Sequence, residues 1–195
     1  MKKLLLVLTI ILVTGGVFAQ QIAYIDTSVI MKSEYITKSY SELETQNNIF
    51  QKEIQIRQDN LFLGENEITD LINLAQNNGD QAKITEYQTT NNKRYEELNL
   101  LNQTKDLTEE QKNRLTELNN LRKKSNENLQ SRAETLGEQM QSLMSKKGSE
   151  IEAAIMSACE KIAKEKNYSI VVNKDAIFYG GIDITKDVIA ALPKE

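Results

Sequence analysis

The chain contains no histidine or tryptophan, and only one cysteine and one proline in 195 residues. Without histidine, acid–base catalysis near neutral pH and transition-metal binding both lack the side chain that proteins use most often for them. Cys159 has no partner for an intrachain disulfide, so we expect a small buried apolar role, with an interchain disulfide as the alternative. Pro193 is the only proline, so long helices are permitted before it. These scarcities disfavour an enzyme or a metal protein.

A long polar stretch, residues 35–166, carries its apolar side chains at helical spacing. Separations of three, four, seven and eight residues keep them in one stripe on one helix face, as in a coiled coil. The stretch therefore predicts two or more long helices folded back on each other. The stripe residues are Leu43, Phe50, Ile54, Leu61, Ile68 and Ile72 on the outgoing side, and Leu115, Leu118, Leu121, Leu129, Leu136, Met140, Leu143, Ile151, Ile155 and Ile162 on the return side.

Two breaks in this stretch are candidates for the tip of the helical hairpin. Residues Asn77–Asp80 have the sequence of a turn. Residues Gln103–Thr108 are the second candidate, because Thr108 and Gln111 have the spacing of a capping box. The second break divides the stretch more evenly, which favours it as the tip and makes the first a kink in the outgoing helix.

The net charge of −4 disfavours strong non-specific binding to nucleic acid, since neutralising phosphates needs concentrated lysine and arginine. The chain also lacks the G-x-x-x-x-G-K-[ST] pattern that cradles nucleotide phosphates. We therefore predict no cofactor, no metal and no ATP-driven step.

The first 19 residues have the three parts of a secretory signal peptide. A positive start, Lys2 and Lys3, precedes an apolar run and the small-residue pattern Val17-Phe18-Ala19. An uncleaved anchor is the alternative, but the apolar run is shorter than the roughly 20 residues that span a bilayer. We expect export, with cleavage after Ala19.

Both ends of the mature chain are rich in β-forming residues. We predict a strand at residues 21–26, a second at residues 169–172 and a third at residues 176–179, the last two as a hairpin, followed by a short helix over residues 186–192. The predicted fold is α+β and predominantly α. A small β-rich association domain from residues 20–34 and 167–195 carries a coiled-coil hairpin arm, residues 35–166.

The same terminal motifs resemble the Skp/OmpH family of periplasmic chaperones. The resemblance lies in QIAYIDTSVIM at the start of the mature chain and in EKNYSIVVNKDAIFYGGIDITKDVIAAL near its end. The helical middle is similar to the family only in its coiled-coil composition. About forty residues match in motif, and their order and spacing are fairly specific.

The resemblance implies a homotrimer with a jellyfish-like shape, in which strands of three subunits form a central β-structure and three helical hairpins surround a cavity. It makes five apolar residues candidates for the association domain and its subunit contacts, with an ordinary intrachain sheet core as the alternative. These residues are Ile22, Tyr24, Ile170, Val172 and Ile177.

The resemblance further implies an ATP-independent holdase in the periplasm, which keeps unfolded outer-membrane proteins from aggregating through many weak contacts. Apolar residues near the tip would touch these clients; the alternative is that they belong to the helical stripe. A structural coiled-coil protein of the cell envelope is the alternative function. The candidate contact residues are Phe62, Tyr95, Leu98, Leu100 and Leu101.

The chain departs from the family in its charge. Familiar members are basic, which suits contact with membranes or lipopolysaccharide, whereas this chain is acidic. The acidic charge argues against such contact here. Basic residues on the outer arm alternate with glutamates, which pairing along a helix explains.

Overall fold

The computed structural model describes residues 21–194, and the predicted signal peptide, residues 1–19, lies outside the described residues. The chain divides into two compact units. Among the described residues, the terminal unit contains 21–36 and 152–194, and the central unit is Thr37–Ile151. Most of the described residues are helical and one sheet is small. The predicted class, α+β and predominantly α, is confirmed at that level.

The terminal unit contains a three-stranded sheet built from both ends of the chain. Its strands are β1 (Gln21–Ile25), β2 (Tyr168–Asn173) and β3 (Ile182–Asp183), in the order β2-β1-β3. Both neighbours run parallel to β1. A parallel pair needs a crossover connection, and the whole helical region between β1 and β2 provides it.

The predicted hairpin at the end of the chain is wrong. Residues Lys174–Ala176 form a 3-10 helix, begun by the Asn173 side chain, which accepts a hydrogen bond from the Asp175 backbone N–H. The next residues form no strand. Gly180 and Gly181 then adopt φ angles of +83° and +89°, which glycine reaches without strain, and the chain continues as β3 beside β1 instead of returning along β2.

Two short helices and the C-terminal part of a long helix complete the terminal unit. The short helices are α1 (Thr27–Ile30), capped by the Asp26 side chain, and α6 (Thr185–Ala191). α6 matches the predicted final helix within one residue at each end. α6 contacts both α1 and β1. The buried apolar residues of this unit include Ala23, Ile25, Ile30, Ile36, Ala158, Ile162, Ile184, Val188 and Leu192.

Four helices contribute to the central unit: α2 (Glu34–Asp59), α3 (Glu65–Gln76), α4 (Gln81–Gln103) and α5 (Glu109–Lys166). Within this unit α2 runs antiparallel to α5, since Glu42 pairs with Lys147 at 3.0 Å and Glu53 with Arg132 at 2.6 Å. The long helices expected over residues 35–166 are therefore present and paired.

The path between α2 and α4 differs from the prediction. The chain reverses after α2, so that α3 runs back along it and Lys52 Nζ donates to the Ala75 carbonyl at 3.2 Å. It reverses again at residues 77–80, and α4 resumes the outgoing direction. The expected kink at Asn77–Asp80 is thus a full turn. The favoured tip is supported, because α4 ends at Gln103 and α5 begins directly after Thr108.

Candidate functional site

Four of the predicted association residues lie on the two longest strands. Ile22 is paired with Ile170 and Tyr24 with Val172 across the β1–β2 ladder. Successive strand residues point to opposite faces, and the intervening Ala23 and Ile25 are the buried ones. The intrachain core therefore uses the other face of β1.

None of the five predicted association residues is buried. Ile22 and Ile170 are 45% and 49% exposed, while Tyr24, Val172 and Ile177 are half-buried. Ile177 packs near Gly181, where an added Cβ would lie 3.2 Å from its Cδ1. These side chains give the terminal unit an apolar surface beyond its own core.

A polar cluster fixes the end of β1. The Asp26 carboxylate accepts hydrogen bonds from Lys174 Nζ at 2.8 Å and from Ser28 Oγ at 2.6 Å, while its backbone N–H donates to Thr185 Oγ1 at 2.8 Å. The bonds from Lys174 and Ser28 lower the pKa of Asp26 from 3.8 to about 2. The cluster connects the end of β1 to the start of α6 and to the segment after β2.

Sequence reasoning missed the most exposed apolar residues of the terminal unit. Phe178 and Tyr179, which precede the two glycines, are fully exposed. They were expected to form a strand, where alternate side chains would be covered. The available signal was the Gly180-Gly181 pair directly after two aromatic residues, which marks a turn.

Three of the predicted client-contact residues lie in the core of the central unit. Phe62, Leu98 and Leu101 are at most 7% exposed and form one cluster with Leu118. This cluster joins the turn after α2 to α4 and α5. Because these side chains face each other, they offer no surface to a client in the subunit described here.

The other two predicted contact residues, Tyr95 and Leu100, are 52% and 66% exposed. The Tyr95 ring lies 5.8 Å from the Phe62 ring between centroids, at an interplanar angle of 56°. That tilted contact holds one side of Tyr95 against the core. The pair leaves apolar surface on α4 close to the tip.

A buried asparagine connects the first reversal to α4. Asn91 Oδ1 accepts from the Phe62 backbone N–H at 3.0 Å, and Asn91 Nδ2 donates to the Asp59 carbonyl at 3.2 Å. The side chain thereby satisfies backbone groups that the end of α2 leaves free. Nothing in the spacing of apolar residues distinguishes Asn91 from its neighbour Asn92, so sequence reasoning missed it.

An ion pair closes the same corner. Arg94 donates to the Phe62 carbonyl at 2.8 Å and to Glu67 at 2.6 Å. Burial alone would raise the pKa of Glu67, but the bonds from Arg94 and the Gly64 backbone N–H outweigh it and leave that pKa lowered. Glu67 Oε2 also accepts a hydrogen bond from the Gly64 backbone N–H at 2.7 Å, so Glu67 caps the start of α3 as well as pairing with Arg94 on α4.

Much of the basic charge on the outer arm is paired. Arg94 pairs with Glu67, Lys112 with Glu109, and Arg114 with both Glu97 and Glu117. This pairing agrees with the interpretation of the basic residues as a solvated helix surface.

Residues 21–194 contain neither a candidate membrane span nor a candidate metal cluster. No helix there combines the length and the apolar character needed to cross a membrane. Within the same residues, no group of three or more His, Cys, Asp or Glu side chains is placed to hold a metal ion.

Comparison with known proteins shows a match to one family model. No curated protein matches the chain. A family model described as "Outer membrane protein (OmpH-like)" matches residues 73–192. The match covers more than half of the chain, from the end of α3 through the tip, α5, β2 and β3 to the C-cap residue of α6. The chain therefore belongs to the OmpH-like family.

Proposed function

We propose that this protein is an ATP-independent holdase chaperone that binds unfolded outer-membrane β-barrel proteins and prevents their aggregation in transit. The single observation that carries the proposal is the family match over residues 73–192. Holding needs no catalytic group or energy source, because an unfolded barrel in water exposes apolar surface that many weak contacts can cover.

The proposed site of action is the periplasm. Residues 1–19 would be the export signal, removed after Ala19, and the β-rich association domain and the helical arm would follow. Mass spectrometry of the protein purified from periplasmic extract tests this directly. The expected mass is that of a chain beginning at Gln20, and an unprocessed chain in the membrane fraction would contradict it.

The proposed assembly is a homotrimer formed through the terminal unit. The exposed Ile22 and Ile170 and the half-buried Tyr24, Val172 and Ile177 support it, because a small domain gains by covering apolar surface that its own core leaves open. The β2 strand is also an edge of the sheet, and an unpaired edge can bind another chain.

The proposed client surface uses Tyr95 and Leu100 on α4. Both are exposed, whereas burial assigns Phe62, Leu98 and Leu101 to the core. Contact with lipopolysaccharide is not proposed, given the net charge of −4 and the paired arginines on the arm.

An aggregation assay tests the proposed activity. An outer-membrane β-barrel protein is diluted from urea into buffer with and without this protein, and light scattering is followed over time. We expect scattering to be suppressed without added nucleotide, in proportion to the amount of this protein. Undiminished scattering at an excess of trimer would overturn the proposal and favour a structural role in the envelope.

A further inference from the structure

The loop before β3 presents two aromatic side chains that no described residue covers. Phe178 is 110% exposed and Tyr179 is 99% exposed, relative to a fully open reference. Each aromatic side chain buries about 150–250 Å² when it is covered. Two of them would supply roughly half of the ~800 Å² that each partner contributes to a standard interface.

Two consecutive glycines hold the loop in this conformation. Gly180 and Gly181 have φ angles of +83° and +89°, a region that other residues rarely adopt. A Cβ added at Gly181 would lie 3.1 Å from Tyr24 Cδ1 and 3.2 Å from Ile177 Cδ1. The backbone is therefore pressed against β1 at Gly181, and the aromatic pair projects outward from a fixed base.

The same terminal unit carries a small apolar groove, which we call the Cys159 groove. It lies between the last part of α5 and β2 and has a volume of about 280 Å³. That is just below the range of roughly 300–1,000 Å³ typical of small-molecule sites, so the groove suits a single side chain. Its lining residues are Met156, Cys159, Glu160, Ala163 and Val171.

We propose that this loop of one subunit docks on a second copy of this chain, with the Tyr179 ring in the Cys159 groove and Phe178 against the surface beside it. The inference rests on the self-association proposed above and names the residues that make it. A loop on one side and a groove on the other form a heterologous contact, which closes into a ring when the rotation allows it. Three identical contacts of this kind would build a trimer.

The chemistry of the groove favours this occupant. Met156, Ala163 and Val171 match an aromatic ring, and methionine sulfur makes favourable contacts with ring edges. A buried tyrosine hydroxyl usually finds a hydrogen-bond partner, and the carboxylate of Glu160 on the groove is an acceptor. A lipid surface is a poorer match for the loop, because the net charge of −4 repels anionic headgroups.

The single native cysteine allows a direct test. In the Tyr179→Cys variant, mild oxidation with copper–phenanthroline at slightly alkaline pH should join the introduced thiol to Cys159 of the neighbouring subunit. Alkaline pH is needed because burial raises the pKa of the Cys159 thiol. We expect covalent dimers and trimers on a non-reducing gel, which reduction abolishes, and a linked peptide that contains Cys159. The matched control is Lys186→Cys at an exposed position of α6, which should stay monomeric on the same gel.

A second variant removes the aromatic side chains. Because both are exposed in the subunit, Phe178→Ser/Tyr179→Ser should fold normally by circular dichroism and shift the sedimentation mass from trimer to monomer at micromolar concentration. If the wild-type chain is itself monomeric, the proposed assembly fails and the inference fails with it.

Other outcomes overturn the inference alone. One is a wild-type trimer that the double serine variant leaves intact and that gives no Cys159 cross-link in Tyr179→Cys. A second is a disulfide within one chain. A third is a double serine variant that remains trimeric but no longer binds vesicles containing phosphatidylglycerol, which would assign the loop to lipid.

Discussion

Among single residues, Glu53 makes the most direct connection between α2 and α5. Its carboxylate accepts from Arg132 Nε at 2.6 Å and from Arg57 Nε at 3.2 Å, and its side chain is only 9% exposed. The bond from Arg132 is the main reason that the pKa of Glu53 is lowered, against the opposing effect of burial. Hydrogen bonds between charged groups are stronger than neutral ones, so this residue bears on the stability of the central unit.

We expect Glu53→Gln to lower the free energy of unfolding by about 1–3 kcal/mol, because two guanidinium groups lose their carboxylate in a partly buried place. Urea unfolding followed by circular dichroism measures the change. The matched control is Glu127→Gln, which loses only an exposed pair with Lys123 at 3.9 Å and should change the free energy by less than about 0.5 kcal/mol. Equal effects of the two variants would contradict this account.

A second prediction at the residue scale concerns pH and Asp26. Its pKa falls from 3.8 to about 2 on folding, so the folded state favours the ionised carboxylate. That contribution is complete above the unfolded pKa and disappears as the pH falls through the folded one. The difference in stability between the wild type and Asp26→Asn should therefore be constant above pH ~5 and shrink between pH ~4 and ~2.

Asp26→Asn isolates the charge, because asparagine keeps a side-chain oxygen that can cap the Ser28 and Val29 backbone N–H groups of α1. Urea midpoints at several pH values, read from a probe in the terminal unit, provide the measurement. A difference that grows on acidification would have the opposite sign and refute the assigned cause.

At the scale of helices and strands, the sequence predicts the elements whose positions depend on local signals. The long helices follow from the apolar stripe, and the start of α5 follows from Thr108 and Gln111, whose reciprocal hydrogen bonds of 2.9 and 3.2 Å form the expected capping box. The final helix and the first two strands also follow from local composition. These features need no knowledge of which segments meet.

The reversal between α2 and α3 was missed because the apolar spacing continues through it. Leu61 and Ile68 are seven residues apart and fit one helical stripe, yet in the structure Leu61 lies in the turn after α2 and Ile68 lies in α3. Leu61 packs on the cluster of Phe62, whereas Ile68 belongs to a separate cluster with Leu63. A periodicity argument cannot detect a turn whose flanking residues stay in phase.

The position of the third strand and the exposure of the candidate surface residues could not be predicted either, because both depend on which segments meet in the folded chain. Ile177, Phe178 and Tyr179 have high strand propensity, but propensity does not say which edge of β1 is vacant. Likewise, the exposure of Tyr95 and the burial of Leu98 depend on how α4 meets Phe62. Sequence could name these apolar residues without separating core from surface.

Asn91 provides the test at this scale. We expect Asn91→Ala to destabilise the protein by about 2–3 kcal/mol, because the Phe62 N–H and the Asp59 carbonyl lose their partner in a buried corner. Asn126→Ala is the control, since Asn126 is exposed on α5 and its replacement should be neutral or slightly stabilising. Urea unfolding of both variants measures the changes, and a neutral Asn91→Ala would show that the reversal does not depend on this side chain.

At the scale of the whole molecule, the chain consists of a terminal unit with a small sheet and a central helical unit, and each of them exposes apolar side chains. The family match includes α4, α5 and α6 and the two edge strands, β2 and β3. Assembly and client binding would then use different surfaces, the first in the terminal unit and the second on α4. Variants in one surface should leave the other function measurable.

We predict that Tyr95→Ser/Leu100→Ser weakens suppression of aggregation by roughly two- to tenfold while the oligomeric mass stays unchanged. The effect should be partial, since a multivalent surface does not depend on a single contact. Tyr40→Ser is the matched control, because Tyr40 is also exposed at 48% but belongs to the opposite end of α2 from the Phe62 cluster. If Tyr40→Ser weakened suppression of aggregation as much as Tyr95→Ser/Leu100→Ser does, that result would argue against a client surface on α4.

The most direct measurement of the central claim is the sedimentation mass of the mature protein, alone and after an unfolded outer-membrane β-barrel protein is diluted from urea into it. The account predicts a trimer that shifts to a soluble species with the mass of one trimer and its client. A trimer that leaves the client to sediment as aggregate, or a chain that remains monomeric, would contradict it.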